Sequence, residues 1–179
     1  MSNAPSPADV VTFWKEAGPG KWFKKNPEFD AEIRDRFEAL HHAAARRELD
    51  AWAETAEGAL ALLLLLDQFP RNLYRNSAHA FATDPLARMF ASRAVAAGFD
   101  KVVAPDLRNF FHLPFEHSEN LEDQDRAVDE AVDADALKWA RIHRDIIARF
   151  GRFPHRNAAL GRETTGDEQA FLENGGFSG

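Results

Sequence analysis

The strongest constraint on the fold is an apolar run at residues 59–66, in which Leu occupies position 60 and every position from 62 to 66. A helix that is apolar on all sides has to be covered by protein on most of them. A buried strand is the alternative for a short apolar run, but Leu, the neighbouring Ala residues and the total length favour a helix. We predict a helix over residues 56–69, ended by Pro70, because proline pushes the preceding residue out of the α region.

The rest of the chain also predicts helices. Phe29, Ile33, Phe37, Leu40 and Ala44 follow one another at steps of three or four, which places them on one helical face. Cap residues, prolines at first helical positions and glycine stops place the other helices. The predicted segments are residues 7–17, a longer helix from 27, and then 84–97, 106–112, 120–132, 134–150 and 165–173. No stretch alternates as a strand does, so the predicted fold class is all-α, with about six to eight helices.

Length and composition indicate a globular protein. The 179 residues suffice for one domain with a substantial core, and we expect a single domain over residues 1–179 with loose tails at 1–6 and 174–179.

A net charge of −7 argues against nucleic-acid binding. The absence of cysteine excludes disulfides and thiol chemistry. No apolar run approaches the ~20 residues that span a bilayer, and the N-terminus lacks a signal-peptide pattern, so we expect a cytoplasmic protein with no membrane partner.

One short motif nearly recurs along the chain. Residues 67–72 read DQFPRN and residues 151–157 read GRFPHRN, so two helices are predicted to end in Phe-Pro followed by Arg and Asn. The spacing of about eighty residues is too long for one helical-repeat unit. Helix pairs joined by short turns are nevertheless the units from which α/α superhelices are built.

Three longer blocks carry a family resemblance. They read LLLLLDQFPRNLYRNSAHAFATDPLA at 62–87, FHLPFEHSENLEDQ at 111–124 and HRDIIARFGRFPHRNAALGR at 143–162. These blocks resemble the signature blocks of the uncharacterised bacterial DUF924 proteins, over a span from Phe13 to Leu172. The resemblance implies a domain similar to tetratricopeptide-repeat (TPR)-like helical superhelices. It implies no particular activity.

A first group of side chains that could carry chemistry consists of histidines and glutamates. Its members are His112, Glu116, His117, Glu119, His143 and His155. Imidazole and carboxylate groups ligate zinc, iron or manganese. The chain has no HExxH or paired ExxH pattern, so a buried hydrogen-bonded network is favoured over a metal site. We predict no metal ligands and no cofactor.

A second group is cationic. Arg71 and Arg75 follow the Leu-rich helix, and Arg152, Arg156 and Arg162 follow the last long helix. If the two Phe-Pro turns face each other, the guanidinium groups could form a pocket for phosphate or carboxylate. The alternative, that they form internal ion pairs, is favoured.

Three polar residues near the same turns have supporting roles. Asp67 lies at the predicted C-terminus of the Leu-rich helix, where a carboxylate is unfavourable unless a nearby arginine compensates it. Asn72 and Asn157 are expected to bond the backbone of their turns.

These observations combine into one hypothesis and two alternatives. The hypothesis is a helical binding module with a polar pocket between the two Phe-Pro turns and the Pro114 segment, for an anionic small molecule or a peptide carboxylate. The predicted ligand-binding residues are Arg71, Arg75, His117, His143, Arg152 and Arg156, and the supporting network is Asp67, Gln68, Asn72, His112, Glu119, His155 and Asn157. One alternative is a metal-assisted hydrolase with Glu116 as its base, and the other is a protein-interaction scaffold whose polar network is purely structural.

Overall fold

The computed structural model describes residues 5–178, and this part of the chain is all-helical without a strand. The α-helices are α1 (Pro7–Ala17), α2 (Pro19–Trp22), α3 (Pro27–Ala45), α4 (Ala56–Leu63), α5 (Phe69–Leu73), α6 (Asp84–Ala96), α7 (Leu113–Glu116), α8 (Leu121–Asp129), α9 (Ala134–Phe150) and α10 (Gly166–Glu173). Five 3₁₀ segments lie between them, at Asp50–Glu54, Ala78–Phe81, Phe99–Lys101, Pro105–Phe111 and Pro154–Arg156. The predicted all-α class is confirmed. The TPR-like superhelix stays a prediction, and the expectations for residues 1–4 and 179 lie outside the described residues.

Helix α4 forms the centre of the core, as the leucine run predicts. It packs against α1, α6 and the 3₁₀ segment Asp50–Glu54, and all residues from 58 to 63 are buried. Burying each leucine contributes about 1.5–3 kcal/mol, taken as an upper estimate. Thr55 caps the helix by accepting a hydrogen bond from the Gly58 N–H at 3.1 Å. Only glycine fits at position 58, because a Cβ there would lie 2.1 Å from the Trp52 carbonyl oxygen.

The prediction that Pro70 ends this helix is wrong. Leu64–Gln68 form a π-helical turn, after which α5 continues through Pro70. In that turn the Phe69 N–H donates to the Leu64 carbonyl, five residues earlier, instead of the usual four. The wider turn and the proline together leave two carbonyls without their normal backbone donors.

Side chains from other elements satisfy those two carbonyls. The Leu65 carbonyl is 2.8 Å from Nδ1 of His41, and the Thr83 hydroxyl donates to the Leu66 carbonyl at 2.5 Å. The helix therefore passes a proline in its interior because each freed acceptor has a buried partner. His41 lies near the end of α3 and Thr83 just before α6, so the wide turn also ties these helices together.

Some of the other local predictions are confirmed and some are wrong. The apolar stripe of α3 is buried as predicted, and Asn26 and Thr165 cap their helices. Asp106 does not start an α-helix, because Pro105 opens a 3₁₀ segment instead. Phe23 is 64% exposed, although the neighbouring Trp22 is buried.

The helices from α7 onward pack on one another in the C-terminal part of the chain. Helix α7 lies against α6 and α8, and α8 packs along α9. Ile146, Ile147 and Phe153 form a small second core there. Gly151 ends α9 in a left-handed conformation with φ of 69°. Among residues 5–178, none of the helices is long and apolar enough to cross a membrane.

Candidate functional site

Asp67 lies in the π-helical turn and organises the polar residues around it. Its carboxylate is 2.8 Å from Nδ1 of His117 and 3.2 Å from a terminal nitrogen of Arg71, and it accepts a hydrogen bond from the Gln68 side chain. Burial alone would raise the pKa of Asp67, but the Arg71 charge and the hydrogen bonds from His117 and Gln68 outweigh it and lower the pKa to about 2. Asp67 is therefore a buried carboxylate that stays ionised.

His117 borders a cleft with one ring nitrogen available. Burial, followed by the nearby Arg71 charge, lowers the pKa of His117, so the imidazole is neutral at pH 7. A neutral ring that donates Nδ1–H to Asp67 leaves a lone pair on Nε2. Within residues 5–178, this Nε2 has no hydrogen-bond partner. The arrangement resembles the carboxylate–histidine pairs that orient general bases.

Gln124 holds the backbone on both sides of His117. Its buried side-chain amide donates to the carbonyls of Glu116 and Ser118, each at 2.6 Å. These bonds satisfy carbonyl acceptors at the C-terminus of α7, which is only one turn long. The His117 side chain is therefore positioned by α8 as well as by Asp67.

Asp84 joins the arginines of the two Phe-Pro segments. Arg71 binds it through both terminal nitrogens, at 2.9 and 3.0 Å. Arg156 makes one longer contact with the same carboxylate, at 3.4 Å, and donates to the His117 carbonyl at 3.0 Å. Arg71 is thus fully paired, whereas Arg156 shares a carboxylate that another arginine already holds.

The Arg156 guanidinium is buried between aromatic rings. Its central carbon lies 4.5 Å from the ring centroids of both Phe81 and Phe153. Burial and the neighbouring Arg71 charge lower the pKa of Arg156 to about 10, and its buried Nε has no partner among the described residues. Its positive charge is therefore present at neutral pH and incompletely compensated.

Glu116 and His143 form a second carboxyl–imidazole pair beside the first. Oε1 of Glu116 is 3.1 Å from Nδ1 of His143, which is also 2.9 Å from the Trp139 carbonyl. Burial and the negative charge of Asp67 raise the pKa of Glu116 to about 8, and burial lowers the pKa of His143 to about 4. Both groups are neutral at pH 7, so the contact is not an ion pair. Glu116 holds a proton there, whereas the hydrolase alternative uses it as a base.

His155 and the C-terminal segment cover this pair. The Phe177 ring lies 4.5 Å from the His143 ring and 5.3 Å from the His155 ring, measured between centroids. Burial, followed by the Arg156 charge, lowers the pKa of His155 to about 3. Phe177 therefore helps to keep water away from the neutral histidines.

The cleft itself has a volume of about 350 Å³, within the range of small-molecule sites. It lies between the start of α6, the segment after α7 and the turn after Phe153. The side chains that border it include Phe81, Asp84, His117, Ser118, Glu119 and Arg156. Glu119 is held there by Arg162, through contacts of 2.7 and 2.9 Å.

Of the predicted ligand-binding residues, His117 and Arg156 border the cleft, Arg71 lies behind it on Asp84, and Arg75 and Arg152 lie elsewhere. Arg75 binds Asp30 on α3 at 2.7 and 2.9 Å, and Asn72 donates to the same carboxylate at 2.8 Å. Since α5 ends at Leu73, Arg75 follows a turn that directs it towards α3. These interactions hold α5 on α3 and contribute nothing to the cleft.

Arg152 is bound by the last helix. It pairs with Glu168 at 2.6 and 2.9 Å, and Asn157 donates to the same carboxylate at 3.1 Å. Glu168 also closes the capping box of α10 with Thr165. The expectation that Asn72 and Asn157 bond turn backbone is wrong, because each binds a carboxylate.

His112 also lies outside the cleft. It sits 3.6 Å from Asp100 and 3.3 Å from Glu130. Burial lowers the pKa of His112. Its carboxylate partners come from the connection after α6 and the end of α8, so it belongs to the packing of those elements.

Sequence reasoning missed Asp84 and Gln124. Asp84 was interpreted as a helix start, although it binds both Arg71 and Arg156. The signal available was the cluster of arginines itself, since buried guanidinium groups require a carboxylate. No local pattern marks Gln124, because its partners lie in a different helix.

The fold and this site define a class: an all-helical protein with a polar cleft between paired histidine, arginine and carboxylate side chains. The chain matches the profile of DUF924, a bacterial protein of unknown function, over residues 10–176 and belongs to that family. A solved structure of a protein of unknown function from Agrobacterium tumefaciens is 57% identical, with a TM-score of 0.92, covering 94% of this chain and 97% of that one. No curated protein matches the chain. The predicted family resemblance is confirmed.

Proposed function

We propose that this protein binds a small molecule bearing a carboxylate or phosphate group in the cleft beside His117 and Arg156. One observation carries the proposal: a neutral histidine with an unpartnered Nε2 and an undercompensated arginine border the same cleft of about 350 Å³. Arginine is suited to an anionic oxygen, and the imidazole supplies a second polar contact that fixes orientation. Peptide carboxylates belong to the same chemical class.

The charges around the cleft support an anion over a cation. Arg156 reaches Asp84 at 3.4 Å through one nitrogen, whereas Arg71 holds that carboxylate through two shorter bonds. An incoming anion would give Arg156 a partner of its own without displacing the Arg71 contacts. A cation would instead compete with both arginines for Asp84.

A thermal-shift screen against small carboxylates and phosphates tests the proposal. A ligand that binds only the folded state adds about 2.7 kcal/mol of stability at a hundred times its dissociation constant. Arg156→Lys keeps the charge but loses the planar fork, so we expect affinity to fall about 10- to 100-fold, the equivalent of one charge-assisted hydrogen bond.

Arg152→Lys is the matched control for this screen. Arg152 follows the same helix but pairs with Glu168 outside the cleft, so ligand affinity should stay at the wild-type value. The proposal is wrong if no anion shifts the melting temperature, or if both variants lower affinity equally.

A second candidate function, acid–base catalysis in the same cleft, is favoured by the ionised Asp67 that orients His117. Asp67, with a pKa of about 2, accepts from Nδ1 of His117 and leaves Nε2 of this ring as a base at the cleft. The test is the rate at which the protein hydrolyses simple esters or phosphate esters. A rate that falls by about 100-fold or more in His117→Asn would support this function. Equal rates in the variant and the wild type would exclude it.

A further inference from the structure

Three histidines outside the cleft come together beside the π-helical turn. His41 and His42 lie near the end of α3, and His79 lies on the 3₁₀ segment Ala78–Phe81. One ring nitrogen from each can be chosen so that all three lie within 4.8 Å of one another. His41 is buried, while His42 and His79 are half-buried, so the group is open to solvent on one side.

The ring positions fit a single metal ion. Three imidazoles around one tetrahedral zinc, with metal–nitrogen bonds of about 2.0–2.1 Å, place their ring centroids about 5 Å apart. The observed centroid separations are 5.1 Å for His41–His42, 5.6 Å for His41–His79 and 5.8 Å for His42–His79. At these bond lengths the nitrogens of a tetrahedral site lie about 3.3 Å apart, so the rings would have to close in from the observed limit of 4.8 Å to bind one ion.

His41 is already prepared as a ligand. Its Nδ1 lies 2.8 Å from the Leu65 carbonyl, one of the acceptors that the π-helical turn leaves free. A ring that donates Nδ1–H to a carbonyl carries its lone pair on Nε2, which is how many metal-binding histidines are oriented. Nε2 of His41 is buried and has no partner among residues 5–178. Burial lowers the pKa of His41, which keeps the ring in the neutral form that binds metals.

The other two rings are held in place by Tyr74. Its ring stacks on His79 with the centroids 3.9 Å apart and the planes within 2°. Its hydroxyl lies 3.2 Å from Nε2 of His42 and 2.9 Å from Oε1 of Glu38, to which it donates. A phenol and a carboxylate therefore border the three imidazoles and supply the outer contacts that metal sites use.

We propose that His41, His42 and His79 form a binding site for Zn²⁺ or a similar first-row divalent cation. Imidazole ligands suit zinc, copper and nickel better than magnesium or calcium. Three protein ligands leave a fourth position for water or for another small ligand on the solvent side. The site is separate from the His117 cleft, and bound metal would join the end of α3 to the Ala78–Phe81 segment.

Cobalt(II) titration of the metal-free, full-length protein tests this site, because tetrahedral cobalt(II) absorbs strongly in the visible range. We expect one cobalt per chain with the tetrahedral spectrum, displaced by one equivalent of Zn²⁺. Loss of an outer contact typically costs 10–100-fold in metal affinity, so loss of a ligand in His42→Gln or His79→Gln should weaken binding by about 100-fold or more.

His112→Gln is the control, since His112 contacts Asp100 and Glu130 and does not belong to the three-histidine group. Its cobalt affinity should equal that of the wild type, and circular dichroism should verify that every variant is folded. The proposal is overturned if the wild type gives no tetrahedral spectrum, or if the spectrum persists at wild-type affinity in both His42→Gln and His79→Gln.

Discussion

At the scale of single residues, Asp67 and Glu116 show how position decides the chemistry of a carboxyl group. Both are buried, and burial acts on both by disfavouring the charge. Arg71 and His117 compensate Asp67, whose pKa falls to about 2, whereas Glu116 faces Asp67 and a neutral histidine, and its pKa rises to about 8. Two acidic groups in one network therefore differ in charge at neutral pH.

The raised pKa of Glu116 predicts a pH dependence of stability. Between an unfolded pKa of about 4.3 and the folded value of about 8, the folded state keeps a proton that the unfolded state releases. The free energy of unfolding should therefore fall as pH rises through this window, by at most about 1.4 kcal/mol for each pH unit.

Glu116→Gln removes that titration while keeping the shape of the protonated side chain. We expect the variant to gain stability relative to wild type as pH rises from 5 to about 8, measured by urea unfolding at each pH. Above pH 6.5, His143 is mostly neutral in both the folded and the unfolded state, so the comparison between pH 6.5 and about 8 reports Glu116. A stability difference that stays constant with pH would contradict a protonated Glu116.

At the scale of elements, the π-helical turn connects the fold to both proposed sites. It places Asp67 beside His117, and it frees the Leu65 carbonyl that orients His41. A regular α-helix over the same residues would keep that carbonyl in its own ladder. The wide turn is thus the structural reason that polar groups lie next to the most apolar helix of the chain.

Thr83→Val tests the support of this turn. The variant keeps the side-chain shape but leaves the Leu66 carbonyl without its donor, so we expect a loss of about 1–3 kcal/mol in the free energy of unfolding. The exposed Thr12→Val on α1 is the matched control, with an expected change within about 0.5 kcal/mol. Equal effects of the two substitutions would contradict the role given to Thr83.

The sequence predicts elements better than it predicts their ends. The α3 stripe, the burial of the leucine run and the caps at Thr55 and Asn26 follow from local spacing and local hydrogen bonds. Continuation of the helix through Pro70 does not, because it depends on His41 and Thr83, which come from distant parts of the chain. Local rules describe the backbone hydrogen-bond donor that proline removes, and tertiary contacts decide whether another donor replaces it.

At the scale of the whole molecule, the cleft is assembled from segments far apart in the chain. Arg71 and Arg156 come from the two Phe-Pro segments, as the sequence suggests, and meet at Asp84. The two similar motifs do not have the same structure, since Phe69-Pro70 lies within a helix and Phe153-Pro154 opens a 3₁₀ segment. For this reason Arg75 and Arg152, which also lie near these segments, bind other partners.

The measurement that tests the central proposal most directly is a ¹⁵N NMR titration of the His117 ring with phosphate and with acetate. In the free protein at pH 7, the spectrum should show Nδ1 protonated and Nε2 with a lone pair, because Nδ1 faces Asp67. Saturating anion should raise the pKa of His117 and shift the Nε2 resonance, with a weaker response in Arg156→Lys.

Two results would contradict the account. A free protein with Nε2 protonated would mean that Asp67 does not orient the ring as the geometry requires. Unchanged His117 resonances at high anion concentration, in a spectrum where other residues respond, would place anion binding elsewhere and leave the cleft as a structural network.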